Sequence, residues 1–229
     1  MAKFSRVSLE RKKELEKPDA ILEFLQRASL WVSLHRRQTA IAAGAFLGVV
    51  ILISGLTYFS ARSEKIAFER LTQISRQQAD GAEKSELTKA YRELNKKRGG
   101  TVAGEIAGLK YADACYKAGD YENAITAYQK AVSDFKGKDF LEIMAWNGLA
   151  YTYEAAGDYD RAISTFKQVL ENPQSPIKDK ALFNLGRLYE RKGDTDSSRK
   201  MFDRITSDYP DSLYARIVKE GNAGFQSNS

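Results

Sequence analysis

Hydrophobic and polar positions follow three rhythms along the 229 residues. From Gln38 to Ala61 no charge occurs in 24 positions, and ten residues between Thr39 and Phe59 are Ile, Leu, Val or Phe. A helix rises about 1.5 Å per residue, so roughly 20 apolar residues cross a hydrocarbon layer about 30 Å thick. The pattern predicts a transmembrane signal-anchor helix over 38–61, whose Thr and Ser hydroxyls bond back to helix carbonyls. Ahead of it, Ile21, Phe24, Leu25, Ala28, Trp31 and Val32 recur on one helical face. Lys17-Pro18-Asp19 starts that helix, with Pro in the first turn and Asp near the positive end of the dipole. This amphipathic segment lies on anionic lipid or docks on a membrane partner; the plainer reading is that it anchors and orients the span. Beyond the span, apolar residues recur in pairs of shorter helical segments. Residues 62–78 and 83–97 form the first pair, with Leu87, Ala90, Tyr91 and Leu94 on one face of the second; the first either stands apart or runs straight out of the membrane helix.

Charge sharpens this layout. The 36 Lys and Arg against 30 Asp and Glu give +6. Of this, +4 falls on residues 1–37, none on 38–61 and +2 on 62–229. The basic residues from Lys3 to Arg37 therefore act as a topology signal that keeps the N-terminus in the cytoplasm and exports the rest. The expected location is the inner (plasma) membrane, single-pass, with a periplasmic C-terminal domain. A cleaved leader fits poorly, because the preceding tail is 37 residues long and Phe59 stands at −3 for cleavage after Ala61. No aromatic-interleaved basic patch points to nucleic acid. Ala40, Gly44 and Gly48 place small residues four apart, the spacing by which a second helix approaches closely; a homodimer through the span is one reading, and the frequency of Gly in such helices is the other.

Past residue 100 the pattern repeats. Gly119-Asp120-Tyr121-Glu122-Asn123-Ala124, Gly157-Asp158-Tyr159-Asp160-Arg161-Ala162 and Gly193-Asp194-Thr195-Asp196-Ser197-Ser198 share one core, their glycines 38 and 36 residues apart. Each core sits between two amphipathic helical stretches. In the second repeat Trp146, Leu149, Ala150, Tyr153, Gly157, Ala162, Phe166 and Val169 occupy the signature positions of the tetratricopeptide (TPR) family, which the chain resembles. Leu182, Leu185, Gly186, Tyr189, Gly193, Ser198, Phe202, Ile205 and Pro210 do so in the third. The first is weaker, with Gly108, Tyr111, Ala112, Cys115, Gly119, Ala124, Tyr128 and Ala131. The expected fold is all-α: an N-terminal transmembrane helix followed by a short TPR α-solenoid. Residues 62–101 form a degenerate helical pair, 102–210 three repeats, and 211–229 a capping helix over Ser212–Glu220 with a frayed tail from Asn222.

Catalytic chemistry finds little footing. One Cys and one His exclude an intramolecular disulfide and a His/Cys zinc site. No nucleotide loop, G-x-S-x-G or H-E-x-x-H occurs. Asp120 and Asp158 read as helix caps, Cys115 as a packed residue at a position held by Tyr elsewhere, and His35 as interfacial. The expectation is a non-enzyme without cofactor or metal.

What remains is a binding surface. The TPR resemblance implies an inner face lined by the first helix of each repeat: Asp113, Tyr116 and Lys117, then Asn147, Tyr151 and Glu154, then Phe183, Arg187, Glu190 and Arg191. Aromatics beside mixed charges hold extended or helical polypeptide; the same residues also suit an ordinary solvated surface. The carboxylate clamp of chaperone-binding TPRs is absent, because Leu109, Asp113 and Gly148 stand at its positions. Overall the layout is similar to the YfgM-like family of inner-membrane TPR proteins, ancillary to the Sec translocon. That resemblance implies a scaffold beside the translocon and a membrane-anchored periplasmic chaperone, handling emerging, unfolded polypeptide. A structural adaptor for cell-envelope or division machinery, or an organellar import receptor with its repeats in the cytosol, stays open.

Overall fold

The computed structural model describes residues 20–226 and holds ten helices among them. They fall into two compact units, residues 1–59 and 60–229. The first unit holds α1 (Ala20–Leu34) and the beginning of α2 (Arg36–Ala79). Only His35 separates the two. Its N–H donates to the Trp31 carbonyl at 3.0 Å, its carbonyl accepts from Thr39 N–H at 2.9 Å, and its ring stacks 4.8 Å from that of Trp31. Among the described residues α2 is the one helix long and apolar enough to cross a bilayer. Thr57 Oγ1 donates to the Ser54 carbonyl at 3.0 Å, so this hydroxyl is satisfied within the helix as expected. The Lys17-Pro18-Asp19 start and the basic residues before it lie outside the described residues.

Of the two readings left open for residues 62–78, the structure takes the continuous one: they form the second half of α2. The apolar run stops at Arg62, but Arg, Ser, Glu and Lys are all tolerated in helices, so polarity changes without a break. In the second unit this half of α2 pairs with α3 (Lys84–Arg98), with Ala67 and Ile74 buried against Leu87, Tyr91 and Leu94. Three helix pairs follow: α4 (Val102–Lys117) with α5 (Tyr121–Asp134), α6 (Asp139–Ala155) with α7 (Tyr159–Glu171), and α8 (Lys178–Arg191) with α9 (Thr195–Asp208). Helix α10 (Leu213–Gln226) closes the series.

Each pair turns by one device. Gly119, Gly157 and Gly193 adopt φ of 77°, 81° and 77°, a region open to glycine without steric cost. The next N–H reaches back to close the preceding helix: Asp120 to the Cys115 carbonyl, Asp158 to Tyr153 and Asp194 to Tyr189, at 2.9–3.0 Å. The same aspartates open the following helix, Asp158 Oδ1 accepting from Arg161 N–H and Asp194 Oδ1 from Ser197 N–H, both at 3.0 Å. One dipeptide thus ends one helix and begins another.

Between the pairs, Phe135 and Phe166 are fully buried, and Ala112, Ala124, Ala150 and Ala162 mark the close crossings. Cys115 is packed in this core, where burial pushes its thiol pKa up. The last helix is longer than the expected Ser212–Glu220. Ala215 and Val218 seat it against Leu182 and Ile205, and the helix carries through Gly221 and Asn222 to Gln226. The frayed tail therefore does not begin at Asn222, and residues 227–229 lie outside the described residues.

Candidate functional site: the groove across α4, α6 and α8

The first helices of the three repeats line a groove of two adjoining hollows that share Tyr116 and Tyr151. One, of about 430 Å³, is bounded by Asp113, Lys117, Phe140, Met144, Asn147, Ile177 and Lys180. The other, of about 450 Å³, is bounded by Glu154, Tyr159, Arg187 and Arg191. Helical spacing explains the selection. Phe140, Met144, Asn147, Tyr151 and Glu154 follow one another three or four residues apart on α6, opposite the face that buries Ala145, Leu149 and Thr152.

Fixed polar contacts hold the walls. Tyr151 meets Phe166 edge-on with centroids 5.2 Å apart, and its hydroxyl accepts from Asn184 Nδ2 at 2.8 Å. Arg187 donates to Asn184 Oδ1 at 3.1 Å and to Glu154 Oε1 at 3.0 Å. Arg191 lies 3.6 Å from the same carboxylate oxygen. Asn184, buried at 2% exposure, thus ties α6 to α8 beneath the groove floor. Desolvation raises the pKa of the Tyr151 hydroxyl, so the ring stands as a neutral hydrogen-bonding aromatic. At the other end Tyr128 donates to Asp113 Oδ1 at 2.5 Å. Burial first, and then this carboxylate, push the Tyr128 pKa up. Lys180 Nζ stands over the Tyr151 ring, 5.1 Å from its centroid.

Of the ten residues expected to line the inner face, eight come together here: Asp113, Tyr116, Lys117, Asn147, Tyr151, Glu154, Arg187 and Arg191. Phe183 does not join them. Its ring packs 5.1 Å from Tyr214 of α10 and 6.1 Å from Phe202, inside the C-terminal cluster. Glu190 is exposed and lines neither hollow. The chaperone clamp is precluded physically as well, since Leu109 is buried in the core and Asp113 already holds Tyr128. Phe140, Met144, Ile177 and Lys180 line the groove in addition to the expected residues. Phe140 and Met144, 62% and 43% exposed, carry a signal at i and i+4 on α6, away from the core stripe.

Residues 105–175 and 153–220 each match the tetratricopeptide repeat family, together covering about half of the chain. The chain belongs to the tetratricopeptide repeat family. A TPR protein from Parabacteroides merdae is similar in structure, with a TM-score of 0.56 and 18% identity over 67% of this chain. The chain spans 57% of that protein's length. A Podosopora anserina putative kinesin light chain with TPR-like repeats superposes at TM-score 0.55 and 14% identity, covering 72% of this chain and 90% of that one. At such identities the likeness concerns the fold. No curated protein matches the chain. TPR repeats mediate protein–protein contacts and TPR proteins are typically non-enzymatic scaffolds; the groove of this TPR chain offers aromatic faces, a buried amide brace and charged rims.

Proposed function

We propose that this TPR protein is a membrane-anchored scaffold whose groove holds polypeptide segments on the extracytoplasmic side. The supporting observation is the groove itself. Tyr116 and Tyr151 offer flat aromatic contact, and the exposed Phe140 and Met144 offer an apolar shelf at one end. Arg187 and Arg191 stand at the other end, fixed by Glu154. An extended chain with apolar side chains and a following carboxylate satisfies both ends.

The anchor in this reading is the apolar first half of α2, with the positive-inside bias of residues 1–37 placing the N-terminus in the cytoplasm. The open faces of Ala40, Gly44 and Gly48 leave room for a second copy of the span, since a Cβ at either glycine meets nothing within 4 Å. The YfgM-like layout makes the Sec translocon and a membrane-anchored periplasmic chaperone the proposed neighbours, and emerging polypeptide the proposed cargo.

Photocrosslinking tests it. A photoreactive residue at position 151 or 187 in the native host is expected to give adducts with translocon, chaperone or exported chains that are missing from a probe at Thr126. Equal labelling from all three positions overturns the groove assignment. Protease accessibility of residues 62–229 in intact cells tests the topology.

A further inference from the structure

Among the described residues nothing covers helix α1 in its unit. Ile21, Phe24, Leu25 and Trp31 are 68%, 70%, 56% and 57% exposed. Side chains of that size, gathered on a helix of 15 residues, require a cover. At 100° per residue these four, with Ala28 and Val32, fall within an arc of about 120°. The opposite side carries Glu23, Gln26, Arg27, Ser29 and Ser33. There Arg27 and Glu23 pair at 3.4 Å, and Ser33 Oγ donates to the Leu30 carbonyl at 2.7 Å. Leu22, Leu30 and Leu34 lie off the apolar arc, among those polar residues.

We infer that α1 lies flat in the interfacial layer of an anionic bilayer, its apolar arc toward the acyl chains. The inference rests on the membrane reading of α2. Continuity argues for lipid as the occupant. One residue, His35, separates α1 from the apolar half of α2, so α1 ends at the depth where that span begins. Fifteen residues extend about 22 Å, short of a core of about 30 Å, so α1 is not a second crossing. Trp31, stacked on His35 at this boundary, is the residue type favoured at the membrane–water interface. Charge argues for anionic lipid. Arg36 and Arg37 follow immediately, and residues 1–37 hold nine Lys and Arg against five acids. Lying flat while α2 crosses requires the axis to turn between them, and His35 is the one residue between α1 and α2 where the helical assignment lapses.

The test is a nitroxide scan of the full chain in phosphatidylethanolamine/phosphatidylglycerol vesicles. Single cysteines are placed from Ile21 to Ser33, with two more at Leu47 and Ile51; Cys115, 3% exposed, stays unlabelled in the folded chain. Oxygen accessibility is expected to oscillate with a period of about 3.6 residues. Its maxima fall at Phe24, Ala28 and Trp31, while labels at Gln26, Ser29 and Ser33 favour a water-soluble nickel chelate severalfold. Uniform nickel access across α1, with oxygen dominating at Leu47 and Ile51, overturns the inference and leaves the membrane reading standing. Nickel access at Leu47 and Ile51 overturns the membrane reading itself. Protection of the apolar arc from both reagents, with dipolar broadening, assigns the cover to a second copy and also overturns it. In pure phosphatidylcholine the oscillation is expected to shrink severalfold; an unchanged amplitude removes the anionic requirement.

Discussion

Side-chain caps open helices of the array in two different ways. Helices α7 and α9 are opened by the aspartate immediately before them, which accepts from one backbone N–H three residues on. Helix α4 is opened by three acceptors at once. Thr101 Oγ1 takes Gly104 N–H at 3.1 Å, while Glu64 of α2 takes Val102 N–H at 2.9 Å and Ala103 N–H at 3.0 Å from 38 and 39 residues away. Arg98 reaches Ser63 across the same seam at 2.9 Å. The local caps carry the repeat; the distant cap fastens the repeats to the helical pair before them. Where a turn recurs, its chemistry is contained in one dipeptide. Where two kinds of structure meet, the unpaired donors of a helix start are met by tertiary contact.

That contrast can be broken from either side. The largest effect is expected from Phe166→Ala in the repeat core, a loss of about 3–5 kcal/mol. Because a repeat rests on its neighbours, hydrogen exchange should quicken from α6 through α8. A change confined to α7 would mean that the repeats do not share a core. Next comes Gly104→Ala at the seam. A Cβ there stands 1.9 Å from the Arg98 carbonyl oxygen, a backbone atom that cannot swing away, so a cost of about 2–3 kcal/mol is expected in denaturant unfolding. Glu64→Ala removes two acceptors from α4 and should cost about 1–2 kcal/mol, with faster exchange at 102–105 and none at the starts of α7 and α9. Asp158→Ala should cost about 1 kcal/mol, confined to residues 159–162. If it equals Glu64→Ala in size and spread, the distinction between the two kinds of start fails.

Acid should give the smallest effect. The Arg161 backbone N–H, and then its side chain, hold the Asp158 pKa below the ordinary aspartate value of 3.8; Ser197 does the same for Asp194. A carboxyl whose folded pKa is depressed stabilises the fold above its unfolded pKa and loses that contribution as pH falls through the folded value. The starts of α7 and α9 should therefore loosen in exchange measurements only below about pH 3.8. Both aspartates face solvent, which keeps the effect small.

The same division explains what could be read from the chain beforehand. The Gly-Asp turns and the buried Phe166 and Ala162 follow from spacings within one repeat, and the TPR resemblance implies the groove on α4, α6 and α8. The exceptions depend on distant partners. Phe183 has the spacing of a groove residue but is taken up by Tyr214, 31 positions on, because the last helix folds over it. Glu64 has nothing in its neighbouring sequence to mark it as a cap; its role appears only once α2 and α4 lie side by side. Lys180 becomes part of the groove through the ring of Tyr151 on another helix. The junction near residue 61 is invisible in polarity terms, since the apolar run ends there and the helix does not.

The Glu64 clip also bears on how such a chain can grow. A unit that brings its own stop and start can be duplicated in tandem, and each new copy punctuates itself. The seam at α4 cannot be multiplied that way, because a copied α4 would arrive without the α2 carboxylate that opens it. Lengthening by duplication is thereby steered to the helices after α4, and the joint to the preceding pair stays single.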